Sequence, residues 1–404
     1  MHTHLPDSHQ SSPDAQEAAA IIQRCVHCGF CNATCPTYQL LGDELDGPRG
    51  RIYQMKALLE GEAAGRVTQQ HLDRCLSCRG CETTCPSGVQ YGRLLDISRA
   101  TLEQRVPRPL WQRLERWALR QILPYTRRFG RLMALARTAR PLLPSSVLSR
   151  IPAVSPPVYP KRRPRGDHAR RMLALTGCVQ PVLAPAIDSA TESVLDRLGI
   201  ELIRVEAGGC CGALSHHLSA HEEAKTFMRR NIDAWWPWIE RGVEAIVINA
   251  SGCGVMVRDY AYWLRDDPRY AEKAALISDL TRDLVEILAD ENLEPLMPVK
   301  PRRIAYQSPC TLQHAQQSGG RVEALLARLE FDLTPVADAH LCCGSAGTYT
   351  LLQPELSGQL LDRKLAALES GQPELIATAN IGCLTQLQRG ASLPVRHWVE
   401  LLME

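Results

Sequence analysis

Two copies of one cysteine pattern constrain this 404-residue chain more than any other feature. The segments CVHCGFCNATCP and CLSCRGCETTCP, which begin at Cys25 and Cys75, both read C-x2-C-x2-C-x3-C-P. In this spacing three cysteines wrap one loop around a four-iron cluster, and the fourth, followed by proline, binds the other cluster. Zinc sites more often use separate C-x2-C pairs. The spacing therefore predicts two [4Fe–4S] clusters.

Crossed ligation assigns each cluster three cysteines from one run and one from the other. The predicted ligands are Cys25, Cys28, Cys31 and Cys85 for the first cluster, and Cys75, Cys78, Cys81 and Cys35 for the second. His27 lies inside the first loop, where we interpret it as an ordinary loop residue. The insert between the runs contains RIYQMKALLE, whose apolar spacing predicts a helix, and a second short helix is expected before Cys75.

The chain contains sixteen cysteines in all, and its N-terminus lacks the apolar segment of a signal peptide. We therefore expect the reducing cytosol, where clustered cysteines serve metal or redox chemistry more often than disulfides. No run approaches about 18 apolar residues, so no transmembrane helix is predicted.

The other eight cysteines form two similar sets. They are Cys178, Cys210, Cys211 and Cys253 in the first set, and Cys310, Cys342, Cys343 and Cys383 in the second. In both sets 31 residues (179–209 and 311–341) separate the first cysteine from the adjacent pair. Strand-like and helical patterns alternate around them, which predicts parallel α/β units. Because such sheets present ligands at the carboxyl ends of their strands, each set should converge there.

Each of these units resembles the cysteine-rich "CCG" domain of heterodisulfide reductase subunits and of flavoprotein-linked iron–sulfur subunits. Some members use a fifth cysteine, in a final C-x2-C, to hold a non-cubane cluster. Here Gly-Val-Met follows Cys253 and Leu-Thr-Gln follows Cys383, so that ligand is missing. Four cysteines leave open an iron–sulfur cluster, zinc or no metal. Thiol or disulfide chemistry at the adjacent pairs is a further alternative.

Four histidines lie near these cysteines in the sequence: His216, His217, His314 and His340. They could bind metal or carry protons, but the simpler interpretation is a surface or supporting role.

A basic segment separates the first cysteine block from the rest. Residues 101–171 hold 17 Arg or Lys against three acids, a local charge of +14. Trp111, Leu114 and Trp117 alternate with arginines, as in a basic amphipathic helix pair that contacts an anionic membrane or an acidic partner. A solvated linker is the plainer alternative, and no nucleic-acid recognition motif accompanies the charge. Residues 152–167 are Pro-rich and are expected to be extended.

Together these patterns predict a multi-domain α+β protein: a helical two-cluster ferredoxin domain followed by two repeated α/β CCG domains. The predicted boundaries are 15–100 for the ferredoxin-type domain, 101–168 for the basic linker, and 169–295 and 300–404 for the two CCG domains. The sequence contains no dinucleotide-binding or P-loop motif, so we expect the substrate to be oxidised by another polypeptide.

Several segments are similar to the iron–sulfur subunit family of bacterial glycolate oxidase (glycolate dehydrogenase). They include CVHCGFCNATCPTYQLLGDELDGPRGRIY, HLDRCLSCRGCETTCPSGV, RNIDAWWPWIE, CTLQHAQ, HLCCGSAGTY, TANIGC and VRHWVE. The resemblance implies FAD-binding partner subunits that oxidise glycolate to glyoxylate, and electron delivery to a membrane acceptor such as quinone. It also implies a cytoplasmic location, peripheral on the inner face of the membrane. A lactate or glycerol 3-phosphate dehydrogenase is the alternative complex, and a zinc scaffold with a basic arm is another class.

Overall fold

The computed structural model describes residues 1–139, 168–298 and 302–403. The ferredoxin-type region is entirely helical. Its α-helices are Asp7–Gln10, Pro13–Arg24, Phe30–Ala33, Pro36–Leu41, Pro48–Leu59, Arg66–Asp73, Gly80–Thr84 and Tyr91–Arg105, with a 3-10 turn at Glu44–Asp46. Both predicted insert helices are present, and Ile22, Met55, Leu72 and Leu94 pack in their shared core. The last helix runs to Arg105, beyond the predicted boundary at residue 100.

The insert folds tightly because a glycine lets two backbone segments touch. Helix Pro48–Leu59 begins with proline at its first turn, where the missing N–H leaves no unpaired donor. A Cβ atom on Gly50 would lie 2.1 Å from the carbonyl oxygen of Glu44. Only glycine therefore allows the helix to approach the Glu44–Asp46 turn this closely.

The first CCG unit is a four-stranded parallel sheet in the order β2-β1-β3-β4. Its strands are β1 (Arg170–Ala174), β2 (Ile200–Arg204), β3 (Ile246–Ile248) and β4 (Thr281–Asp283). Its α-helices are Gln180–Leu183, Pro185–Arg197, Ala213–His217, His221–Ile239, Ser251–Arg258, Tyr260–Trp263, Ala271–Leu280 and Leu284–Ala289, followed by a 3-10 turn at Glu294–Leu296.

The second CCG unit repeats this topology, with a parallel sheet in the order β6-β5-β7-β8. Its strands are β5 (Arg303–Gln307), β6 (Asp332–Leu333), β7 (Leu375–Thr378) and β8 (Val395–His397). Its helices are Thr311–Ala315 (a π-turn), Arg321–Arg328, Tyr349–Leu352, Pro354–Glu369, Ile381–Leu387 and the 3-10 segment Trp398–Met403. The predicted class, a helical ferredoxin-type domain followed by two repeated α/β domains, is confirmed.

The two sheets share one continuous core. Ile187 and Val247 of the first unit and Ile376 and Leu401 of the second belong to the same cluster of buried apolar side chains. Backbone contacts continue across the boundary, where the amide of Ser251 donates to the carbonyl of Ala379 at 3.3 Å.

Two helices, Leu110–Ile122 and Thr126–Thr138, contain most of the described residues of the basic segment. Phe129 and Met133 anchor the second helix in the shared core of the CCG units. The large apolar side chains on the outer surface of the pair are Leu110, Trp111, Leu114, Trp117, Leu132 and Leu135. The predicted extended segment 152–167 lies outside the described residues. None of the described helices is long and apolar enough to cross a membrane.

Candidate metal centres

The first cysteine run folds into a tight loop ahead of helix Phe30–Ala33. His27 (φ 60°) and Gly29 (φ 87°) both adopt the left-handed conformation. A left-handed residue at every second position turns successive backbone N–H groups toward the inside of the loop, where they favour an anionic ligand. Cys25, Cys28 and Cys31 line the recess so formed, together with Cys85 from the second run.

The second run has the same backbone shape ahead of helix Gly80–Thr84. Ser77 (φ 53°) and Arg79 (φ 59°) occupy the positions of His27 and Gly29. The amide of Ser77 donates to the sulfur of Cys75 at 3.5 Å, and the hydroxyl of Tyr91 donates to the same sulfur at 3.7 Å. Donors of this kind tune the potential of a bound cluster.

Neighbouring thiols affect the pKa of two cysteines, one in each run. Burial raises the pKa of Cys31 to about 11, and the neighbouring Cys25, Cys85 and Cys28 add to the rise. Burial likewise raises the pKa of Cys81, with contributions from Cys78, Cys75 and Cys35 among its neighbours. Four thiols this close cannot all ionise without a compensating cation, because each thiolate repels the next. The donor sets therefore fit multi-iron clusters, whose irons supply that charge.

A buried charge network supports the second set and explains the segment GDELDGPRGR. Asp46 accepts from Arg51 at 3.2 Å and from Arg74 at 2.8 Å, and its carboxylate lies 3.1 Å from His71. Arg51 also donates to Thr37 at 3.0 Å. Both Asp46 and Arg51 are fully buried, so each charge depends on its partner.

Each CCG unit brings its four cysteines together at the carboxyl ends of its strands. In the second unit the sulfurs of Cys310 and Cys342 are 4.0 Å apart. The thiols of Cys342, Cys343 and Cys383 continue the chain of contacts. In the first unit Cys178, Cys210, Cys211 and Cys253 form the same series. The last cysteine of each set lies inside the helix that follows a strand, Ser251–Arg258 or Ile381–Leu387.

The adjacent cysteines sit on a turn that requires glycine. Gly212 (φ 95°) and Gly344 (φ 84°) follow the two pairs in the left-handed conformation. A Cβ atom on Gly344 would lie 2.7 Å from the carbonyl oxygen of Ser357. Helix Pro354–Glu369, which contains Ser357, thus packs so closely against this turn that position 344 requires glycine.

The histidines near these cysteines lie at domain contacts. His216 is buried and its Nε2 atom lies 3.3 Å from a carboxylate oxygen of Asp96 in the ferredoxin-type region. Nδ1 of His314 lies 3.0 Å from the hydroxyl of Thr83, and its Nε2 lies 3.0 Å from the carbonyl of His340. His217 is exposed. His27 is also exposed, and its ring centroid lies 6.5 Å from that of Tyr53.

Sequence reasoning missed the contacts between domains. Asp259 of the first CCG unit pairs with Arg93 at 2.8 Å and with Arg79 at 3.5 Å. Tyr349 of the second unit donates its hydroxyl to the carbonyl of Arg74 at 3.1 Å. These pairs carry no sequence signal because their members lie more than 150 residues apart.

Comparison with known proteins accounts for nearly the whole chain. Residues 21–89 match the 4Fe-4S dicluster domain, and residues 172–258 and 304–388 each match the cysteine-rich domain family. The chain is 53% identical over 402 residues to the "Glycolate oxidase iron-sulfur subunit" of Escherichia coli (strain K12), covering 100% of this chain and 98% of that protein. The chain belongs to the glycolate oxidase iron–sulfur subunit family.

Two further relatives share less of the sequence with this glycolate oxidase iron–sulfur subunit family member. The "Probable glycolate oxidase iron-sulfur subunit" of Bacillus subtilis (strain 168) is 32% identical over 420 residues, covering 95% of this chain and 94% of that protein. The "Lactate utilization protein A" of Bacillus licheniformis is 26% identical over 235 residues, which is 56% of this chain and 95% of that protein.

Proposed function

We propose that this chain is the electron-transfer subunit of a glycolate dehydrogenase complex. In this proposal an FAD-carrying partner oxidises glycolate to glyoxylate, and this chain conducts the electrons to a membrane acceptor such as quinone. The observation that carries it is the grouping of eight thiols into two adjacent sets of four. Two [4Fe–4S] clusters bound there would each accept and release one electron at a time.

The ligands in this proposal are Cys25, Cys28, Cys31 and Cys85 for one cluster, and Cys75, Cys78, Cys81 and Cys35 for the other. The chain's own residues set the properties of both sites. The left-handed loops direct N–H groups inward, and Cys35 and Cys81 of the second set are buried away from water. Arg51 provides a fixed positive charge beside Cys75 and Cys35. This charge would favour the anionic state of a cluster bound by the second set.

The two CCG quartets are further candidate metal sites, for an iron–sulfur cluster or zinc. Each offers four sulfurs from one sheet edge, but neither has the fifth cysteine of the non-cubane type. The second quartet also lies near the buried ammonium group of Lys364, which would stabilise thiolates there. Thiol or disulfide chemistry at the adjacent pairs remains the competing proposal for these quartets.

Metal analysis tests the cluster assignment. Protein purified without oxygen should contain about eight irons if only the ferredoxin-type region holds clusters, and clearly more if the CCG quartets hold them too. We expect Cys28→Ser to remove much of the visible iron–sulfur absorption, and Cys178→Ser, outside both predicted ligand sets, to preserve the spectrum of the two ferredoxin-type clusters. An unchanged spectrum for Cys28→Ser would refute the assignment.

The substrate is tested separately. Glycolate, lactate and glycerol 3-phosphate should be added in turn to the purified complex under anaerobic conditions, and bleaching of the iron–sulfur absorption recorded. Glycolate is expected to reduce the clusters fastest. Faster reduction by lactate would favour the alternative that the similarity to "Lactate utilization protein A" suggests.

The membrane contact in this proposal lies on the two basic helices. Trp111, Leu114 and Trp117 share one exposed side of helix Leu110–Ile122, and Arg127, Arg128 and Arg131 are exposed on the next helix. Exposed tryptophans among arginines suit the interface of an anionic membrane. We place the chain at the inner face of the cytoplasmic membrane on this basis. Trp111→Glu should weaken co-sedimentation with phosphatidylglycerol vesicles, and Thr138→Glu, at the end of the pair, should have less effect.

A further inference from the structure

The two cysteine loops have the same backbone shape but opposite surroundings. Val26 and Leu76 occupy the same place in the two runs, directly after the first cysteine. Val26 is 69% exposed, whereas Leu76 is 6% exposed. Cys28 is exposed as well, while its counterpart Cys78 is partly covered. The first set therefore faces outward, and the second faces the interior of the chain.

A cysteine-bearing domain of the same chain covers the second loop. Leu76 packs in one cluster with Cys342, Tyr349, Leu356 and Leu360 of the second CCG unit. Burial raises the pKa of Cys78, and the nearby thiol of Cys310 adds to the rise. The face of the second loop is thus an interface between two sulfur-rich sites.

The matching face of the first loop has no such cover within the described residues. Val26, Phe30 and Tyr53 are all more than half exposed, and His27 lies between Val26 and Cys28. We call these five residues, Val26, His27, Cys28, Phe30 and Tyr53, the first-cluster face. Grouped exposed apolar side chains, aromatic ones above all, are typical of protein–protein interfaces.

We propose that the first-cluster face is the docking surface of the flavin-carrying subunit, so that electrons enter at the first cysteine set and continue inward through the second. This inference rests on the proposed function, because it names where that partner binds. Two observations select this occupant. The equivalent face of the second loop is covered by a protein domain that carries a cysteine quartet. The chain's own sequence has no flavin-binding motif, so in the proposed function electrons arrive from another polypeptide.

A second copy of this chain and a lipid surface fit the face less well. The arginine-rich, tryptophan-bearing surface suited to anionic lipid is on helices Leu110–Ile122 and Thr126–Thr138, not on this loop. A dimer through this face would bring two electron-accepting sites together and leave neither open to a donor.

The test compares charged substitutions on this face with a matched one outside it. Val26→Arg and Tyr53→Glu are introduced into the intact complex, and Val67→Arg is the control, since Val67 is 65% exposed on the same domain. Tyr53 lies on helix Pro48–Leu59, outside the cysteine loop, so its substitution leaves the ligand backbone undisturbed. The readouts are iron per chain and flavin per chain in the complex purified through a tag on this subunit.

We expect both face variants to retain their iron and to lose flavin about tenfold, a typical effect of changing a central interface residue. The control should keep both. A photo-crosslinking residue in place of Phe30 should bond to the flavin-carrying chain, as identified by mass spectrometry. The same residue in place of Val67 should not.

Each other outcome overturns a specific statement. Full flavin retention in both face variants would refute the docking surface while leaving the proposed function intact. A wild-type preparation that contains no flavoprotein would instead refute the proposed function. Conversion of a dimer to a monomer, or loss of vesicle binding, with flavin unchanged would assign the face to a second copy or to lipid, and would also refute the docking proposal.

Discussion

The two CCG units share one sheet topology, yet they place an acidic residue and a basic residue at the same point. Asp283 ends β4 and His397 ends β8, the equivalent strands. Each caps the segment that follows: Asp283 accepts from the amide of Val285 at 3.1 Å, and Nδ1 of His397 accepts from the amide of Val399 at 3.3 Å. The backbone amides of the two residues donate to Glu286 and Glu400 respectively. One local geometry is thus built with an acid in one unit and a base in the other.

The surroundings of the two quartets also differ. The side-chain amide of Asn231 donates to the carbonyl of Cys210 at 2.9 Å in the first unit. In the second, the buried ammonium of Lys364 donates to the carbonyl of Asp338 at 3.1 Å. The second quartet also touches a ferredoxin-type loop, since Cys342 and Cys310 lie in one cluster with Leu76. The same backbone fold therefore carries different charged and titratable groups in the two units. We expect the stability of the two units to depend differently on pH, and their quartets to affect the neighbouring cluster differently.

The largest expected difference concerns Asp283. Burial raises its pKa to about 7, and the neighbouring Glu286 adds to the rise. The unfolded carboxyl has a pKa near 3.9. The folded state therefore keeps a proton that the unfolded state loses, and stability falls as the pH rises from about 4 to about 7. Between pH 5 and pH 8 the cost is about 3 kcal/mol.

Asp283→Asn keeps the cap and removes this titration. Its thermal unfolding midpoint should rise relative to wild type as the pH is raised from 5 to 8. A constant difference between the two proteins over this range would show that Asp283 is ionised throughout.

His397 should give the opposite slope. Burial lowers its pKa to about 4, against about 6.5 when unfolded. The unfolded state then takes up a proton first as the pH falls, so stability is lost from about pH 6.5 down to about 4, by about 2 kcal/mol between pH 8 and pH 5. His397→Asn, whose side-chain oxygen can still accept from Val399, should flatten this loss in the same pH series. An unaltered slope in the variant would place the acid sensitivity elsewhere.

The glycine turns should separate the units by a smaller amount. Alanine at either position adopts an unfavourable left-handed conformation, which costs about 1–2 kcal/mol. Gly344→Ala meets a backbone carbonyl at 2.7 Å and the Cβ of Leu360 at 2.9 Å, whereas the nearest atom to a Cβ on Gly212 is at 3.0 Å. We therefore expect Gly344→Ala to be less stable than Gly212→Ala by about 1 kcal/mol in the free energy of unfolding. Equal losses, measured by denaturant titration, would mean that the second turn relaxes freely.

The smallest effect is electrostatic and concerns the second ferredoxin-type set. Cys310 adjoins Cys78, so Cys310→Ser should shift the reduction potential of the cluster proposed there by about 30 mV, which is ~0.7 kcal/mol for one electron. Cys178→Ser, in the first quartet, serves as the matched control and should leave that potential unchanged. The measurement is a redox titration followed by electron paramagnetic resonance. Equal shifts in the two variants would show that the two quartets affect this cluster to the same extent.

Local patterns in the sequence determined much of the architecture. The cysteine spacing grouped the eight N-terminal thiols, the apolar periodicity placed helix Pro48–Leu59, and the repeat of cysteines with alternating strand and helix signals predicted two parallel sheets. These features depend on residues close together in the chain. A loop, a helical stripe or a strand edge is specified by its own neighbours, so the sequence alone was sufficient to predict them.

Only the tertiary structure decided how these parts face one another. Val26 and Leu76 are both aliphatic residues after the first cysteine of a run, and nothing in either run indicates that one is exposed and the other covered. The same holds for His216, which contacts Asp96, a residue 120 positions away in the sequence. It also holds for Asp283 and His397, whose burial depends on the side chains that pack against them. Exposure and pKa follow from long-range packing, because the side chains that exclude water from a residue come from distant parts of the chain.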